Sequence, residues 1–317
     1  RYGFIRVFIN GERFPIYAFE ENLDKRLIEN NRRREAPTFK LQDRKLLNGK
    51  QHSYQNISFN QEKYYSKTEY GRSLMKRTEI LIDGFNDGKL IASEVFDINL
   101  MAKALAINDL FGHTHSIALG NLTFYFNPLT GLIEPILFDN QTIGDLSAIR
   151  LFGEKVNQDF KKPFYYLDKA KDNPSNLYLQ DYGLIGKLFL DPKFGVEYIN
   201  ALNTISKKEW LDDFFETIKP EAKRNLSLLH KSYPWYKFQY KNQLYKNQDY
   251  ISSIINPNRA LNAIVKEEKE KYKLIFQNKH SLPLEIISLN DEDNKVIYKF
   301  AEPYYLPSLK INHLIML

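Results

Sequence analysis

Residues 4–10 (FIRVFIN) alternate apolar and polar positions, and the apolar pattern resumes at 14–19, just beyond Asn10-Gly11. Alternation of period two on both sides of an Asn-Gly pair predicts a β-hairpin, here with a connection slightly longer than two residues. Over residues 22–34 the period lengthens. Leu23 and Leu27 lie four apart with Ile28 beside them and charges between, which predicts a helix that Pro37 ends. Residues 38–41 read as a third strand carrying Lys40. Residues 42–66 are rich in Gln, Asn, Ser, Tyr and Lys, have no clear period, and read as a long loop or lid. A helix is expected at 73–85. Residues 98–111 form another, capped by Asp97 and apolar on nearly every face. A helix of that kind belongs inside a domain, so Asn108 and Asp109 within it need buried partners.

Gly112 closes this helix, and a polar loop runs to Gly120. Residues 121–126 (NLTFYF) and 132–138 (LIEPILF) read as two strands about the turn Asn127-Pro128-Leu129-Thr130-Gly131, the second ending at Asp139. Beyond residue 150 helices are expected at 181–190, 193–205, 208–218 and 220–231. From about residue 256 the pattern turns strand-like, at 273–277, 284–289 and 296–300. The fold class is therefore α+β, with a main domain at 1–255 and a small β-rich C-terminal module at 256–317.

Composition narrows the chemistry. Apolar residues make up 43% of the 317, enough for a sizeable core. With no cysteine, disulfides, thiolate nucleophiles and cysteine-rich zinc sites are excluded. The formal net charge is +6, but basic residues are interleaved with acids, as in 266–273, the pattern of a solvated face. No nucleic-acid partner is expected from it, and no apolar run is long enough for a membrane span. The chain opens on Arg1 rather than Met, and reads as a fragment whose N-terminus, with any signal peptide, is missing.

The candidate chemistry lies in residues 96–140, where a buried helix, a polar loop, a strand opening with Asn121 and a tight turn lead to Asp139. Protein kinases hold metal-bound ATP with such an order of parts: a loop carboxylate at the attacking hydroxyl, an Asn at the loop's end, and an Asp after the next hairpin. Magnesium requires hard oxygen ligands, which Asn121 and Asp139 offer, and Lys40 offers an ammonium for the phosphates.

Two sets of segments resemble the spore-coat protein H (CotH) kinase-like family, a group of atypical protein-kinase relatives. Residues 11–21 (GERFPIYAFEE) and 32–37 (RRREAP) are similar to its N-terminal hairpin and the approach to a lysine-bearing strand. Residues 108–139 are similar to its core, in which a helix and loop precede an Asn and a hairpin ends in Asp. The resemblance covers residues 1–145 well, extends loosely to 255, and says nothing of 256–317. It implies an atypical protein-kinase-like domain that binds ATP and Mg2+. Lys40 would contact the phosphates, and Asn121 and Asp139 the metal. The implied activity is transfer of the γ-phosphoryl group to Ser or Thr of a bacterial coat, envelope or surface protein, in an extracellular or cell-envelope setting.

The sequence departs from that pattern in two places. The loop aspartate proposed as catalytic base aligns with His115, and no carboxylate lies between Gly112 and Gly120. Asn140 and Gln141 stand where the family is often acidic. A histidine is a competent general base near neutral pH. The same change equally fits a catalytically inactive pseudokinase or a surface scaffold with the same fold.

Three further features have alternative readings. His113 and His115 alternate as two metal ligands would, but lack a clear third. Arg32-Arg33-Arg34 suits either phosphates or a solvated helix end. Residues 235–250 interleave aromatics with lysines, which suits stacking on sugars or bases, or rings packed on the domain.

Overall fold

The structure is a computed structural model that describes residues 2–43, 55–113, 115–117, 121–137, 143–154, 182–268, 271–306 and 312–316. Strands β1 (Tyr2–Ile9) and β2 (Glu12–Glu20) form an antiparallel hairpin. Its turn is the two residues Asn10 and Gly11, both at positive φ, so the connection is shorter than the sequence suggests. Such paired left-handed residues match the twist of the flanking strands.

Helix α1 (Lys25–Asn30) covers only part of the expected 22–34. Asp24 caps its start, and Arg32 follows its end at φ 55, a backbone state no helix continues through. β3 (Thr38–Asp43) and β4 (Gln55–Phe59) come next, followed by the short helix α2 (Glu62–Tyr65). Much of the expected lid is thus regular structure, because β3 continues past Leu41 and pairs with β4. Residues 44–54 lie outside the described residues.

Helices α3 (Glu69–Asn86), α4 (Ala92–Val95) and α5 (Ile98–Phe111) follow. α5 has the bounds its sequence predicts: Asp97 Oδ1 accepts from Leu100 N at 3.0 Å, and Gly112 ends the helix in the left-handed region. β5 (Thr123–Phe126) and β6 (Ile133–Ile136) complete a four-stranded antiparallel sheet in the order β4-β3-β5-β6. Phe39 and Phe124 are cross-strand partners whose rings stack at 5.4 Å, and Phe96 adds to them at 5.8 Å. This sheet face and α5 form the centre of the main core.

The helical half continues with α6 (Leu146–Ile149), α7 (Tyr182–Leu188), α8 (Pro192–Ile205), α9 (Lys208–Leu229) and α10 (Lys241–Ile255). The two helices expected at 208–218 and 220–231 are one. Pro220 frees the Glu216 carbonyl, but α9 buries only Leu211, so water can satisfy that group and the helix runs through. The C-terminal strands are β7 (Leu261–Glu268), β8 (Lys271–Asn278), β9 (Leu284–Asn290), β10 (Val296–Leu306) and β11 (Asn312–Met316). They form a three-stranded and a two-stranded sheet around a small core of Leu274, Phe276, Ile286 and Leu306. No helix among the described residues is long and apolar enough to cross a membrane.

The basic run follows the C-cap of α1, as expected of a helix end, but it is not wholly solvated. Arg33 Nε donates to Glu134 Oε2 at 2.8 Å, and Asn127 Nδ2 donates to the other carboxylate oxygen at 2.7 Å. Glu134 is nearly buried, and its hydrogen bond raises the guanidinium pKa of Arg33 further. Arg33→Ala is therefore expected to lower stability by about 1–3 kcal/mol, because a buried carboxylate loses its countercharge while Arg33 itself is partly solvated. Urea unfolding of the variant measures this, and an unchanged midpoint would show that Glu134 is neutralised by other means.

Candidate functional site

Along β3, Phe39 and Leu41 are fully buried toward the core, so the alternation turns Lys40 to the opposite face, where it is half-buried. The register makes Lys40 the cross-strand partner of Thr123 in β5. Asn121 lies in the turn two residues before Thr123, so the start of β5 brings the end of that turn toward the strand that carries Lys40. Sequence reasoning identified both positions but not this adjacency, which depends on β3 pairing with β5.

The loop between α5 and β5 is organised by Asn108, one of the two polar residues expected to need partners. Its Nδ2 donates to Ala104 O at 2.9 Å, its Oδ1 accepts from Ser116 Oγ, and its carbonyl accepts from His113 N at 3.1 Å. These bonds hold a 3-10 turn, His115–Ile117. The His115 carbonyl in turn accepts from Asn121 Nδ2 at 3.1 Å. An amide anchored through its nitrogen turns its oxygen away from that carbonyl, and the oxygen is the atom a hard cation takes. One chain of hydrogen bonds thus leads from the buried helix through the turn to the proposed metal-binding side chain.

Asp109 faces the other way. Its Oδ1 accepts from Phe152 N at 3.0 Å, and its Oδ2 accepts from the Tyr198 hydroxyl. Complete burial and the neighbouring Asp109 charge hold the Tyr198 hydroxyl well above its ordinary pKa, so it remains a donor. This carboxylate ties α5 to α8 and to the segment after α6.

His113 and His115 do not alternate as strand residues. His113 is buried just after the Gly112 cap, His115 is half-buried on the 3-10 turn, and their rings lie 5.9 Å apart. Among the described residues no group of three or more His, Cys, Asp or Glu side chains is placed to hold a metal. Asp139, Asn140 and Gln141 lie outside the described residues. A cavity of about 180 Å³ is found elsewhere, between α8 and the C-terminal strands, and its lining includes Ile199, His280, Leu282 and Tyr305 but not Lys40, His115 or Asn121.

Sequence reasoning missed Asn247 of α10, which is buried against the end of α5. Its Nδ2 donates to Leu110 O and to Gly144 O, both at 2.8 Å, while Oδ1 accepts from Leu146 N at 3.0 Å and from Gln243 Nε2 at 2.9 Å. The two backbones it joins pass very close. A Cβ on Gly112 would meet Gly144 O at 2.3 Å, so glycine is required there sterically as well as by its positive φ. No family model matches the chain, and no curated protein matches it.

Proposed function

We propose that the chain is an ATP- and Mg2+-dependent phosphotransferase of the CotH-like atypical-kinase type, acting on Ser or Thr of a coat, envelope or surface protein. The observation that carries this reading is that Lys40 pairs across the sheet with Thr123, two residues beyond Asn121. There the Asn121 amide is oriented by the His115 carbonyl, and His115 itself sits on the turn held by Asn108. Lys40 supplies positive charge for the phosphates, and the Asn121 oxygen, with Asp139 from the sequence, supplies hard ligands. Bound magnesium would neutralise the β- and γ-phosphate oxygens, needing only one or two protein ligands besides the nucleotide. The acceptor hydroxyl attacks the γ-phosphorus, the bond to the bridging oxygen breaks, ADP departs, and the hydroxyl proton passes to His115.

A pseudokinase or scaffold is the second reading, favoured by the absence of any carboxylate between Gly112 and Gly120. The test is calorimetric titration with ATP, with and without magnesium, for wild type, Lys40→Ala, Asn121→Ala and Asp139→Ala. Magnesium-dependent binding is expected, weakened about tenfold to a hundredfold in each variant, the scale of one charge-assisted contact. Equal affinity in all four folded proteins would place the nucleotide elsewhere or nowhere. Binding without incorporation of radiolabelled phosphate into any protein would select the pseudokinase.

A further inference from the structure

The aromatic and basic segment divides: Tyr245 and Tyr250 pack on the core, as one reading of the sequence has it, while the rings between α9 and α10 do not. Residues 231–246 contain four lysines and no carboxylate. Between α9 and α10 the chain is non-helical, and Tyr233, Trp235, Tyr236, Phe238 and Tyr240 are all exposed, Trp235 by 74%. This exposure belongs to a built turn. Tyr236 N donates to Tyr233 O at 3.1 Å with Pro234 between them, His230 Nε2 donates to Tyr236 O at 2.9 Å, and Ser232 Oγ accepts from Ile16 N at 3.1 Å. Proline pre-sets the second position of such a turn, which leaves Trp235 at its tip.

We propose that this turn docks the protein on an anionic lipid surface, with Trp235 and its neighbours inserted at the headgroup level and the lysines on lipid phosphates. Charge complementarity supports the choice: Lys231 and Lys237 flank the turn and are exposed, on a stretch without a carboxylate of its own. Tryptophan and tyrosine combine an apolar body with a polar edge and favour the membrane interface. Ring geometry disfavours a stacking platform for bases or sugars. Tyr233 meets Trp235 at 86° and Phe238 meets Tyr240 at 70°, so the rings form edge-to-face knobs instead of parallel faces.

The test is cosedimentation of the whole chain with vesicles of phosphatidylcholine alone, and of phosphatidylcholine mixed with phosphatidylglycerol. Binding to the mixed vesicles only is expected, weakening as salt is raised. In a Trp210→Phe background, which leaves Trp235 as the only tryptophan, its emission should shift to the blue on binding. Trp235→Ala should reduce partitioning by about tenfold or more, and Lys231→Gln and Lys237→Gln by about fivefold each. The melting temperature should be unaltered, because these side chains are exposed. The proposal is overturned by absence of binding to mixed vesicles, or by binding that survives all three substitutions. It is equally overturned if an oligothymidylate binds more tightly than the vesicles and displaces them.

Discussion

Replacing Asn247 with leucine is expected to destabilise the chain by about 3–5 kcal/mol. The amide uses all four of its hydrogen-bonding positions, and three of its four partners are main-chain groups: the Leu110 and Gly144 carbonyls and the Leu146 amide. Leucine has the same number of side-chain heavy atoms but is larger, so crowding of its methyls against the two carbonyls adds to the polar loss. The Leu110 carbonyl and the Leu146 amide remain buried and the Gly144 carbonyl partly buried, and each unsatisfied buried group costs about 1–3 kcal/mol. Asn247→Asp should be no milder, because it replaces the donor with a carboxylate oxygen facing two carbonyls. Urea unfolding followed by far-ultraviolet circular dichroism measures both variants. A loss below about 1 kcal/mol in Asn247→Leu would show that these groups find other partners.

The same residue shows where sequence reasoning stops. The helix 98–111 was legible at both ends, because Asp97 and Gly112 act on backbone groups within three or four residues of themselves. The strand carrying Lys40 and the hairpin after Asn121 were legible for the same reason, through alternation and a strong turn. Asn247 bonds a carbonyl 137 residues away, and Tyr198 meets Asp109 across 89. No local pattern encodes such partners, and an Asn in a helix reads the same whether it faces water or a buried backbone. Pro220 misled in the opposite direction. Its local cost is real, yet exposure of α9 let the helix continue. The 42–66 segment looked unstructured because β4 gains its stability from pairing with β3, which composition does not reveal.

For the candidate site, residue types were legible but their arrangement was not. Lys40, Asn121 and His115 were identifiable by position relative to a strand, a turn and a helix end. That Lys40 pairs with Thr123 depends on which strand β3 chooses as its neighbour, a non-local outcome. The hydrogen bond from Asn121 to the His115 carbonyl likewise required the 3-10 turn, which Asn108 stabilises from within the core.

That bond sets up the second large expected effect, on phosphoryl transfer. His115→Ala should lower the transfer rate by about 10²–10⁴-fold, the usual contribution of a positioned acid or base, if the imidazole accepts the hydroxyl proton. The variant is unusually clean. His115 orients Asn121 through its main-chain carbonyl, which alanine retains, so the loop and the proposed metal ligand should stay in place. ATP affinity and melting temperature are therefore expected to match the wild type while incorporation of radiolabelled phosphate falls. Ser116→Ala provides the contrast. It removes the hydroxyl bonded to buried Asn108, loosens the whole turn, and should weaken nucleotide binding together with transfer. The ring of His113 lies 5.9 Å from that of His115, and His113→Gln combined with His115→Ala tests whether it takes over as base. Phosphoryl transfer proceeds through a loose transition state, in which charge neutralisation and alignment outweigh proton removal. Undiminished transfer in the double variant would therefore leave catalysis to Lys40, Asn121 and the nucleotide-bound metal, and would remove His115 from the reaction.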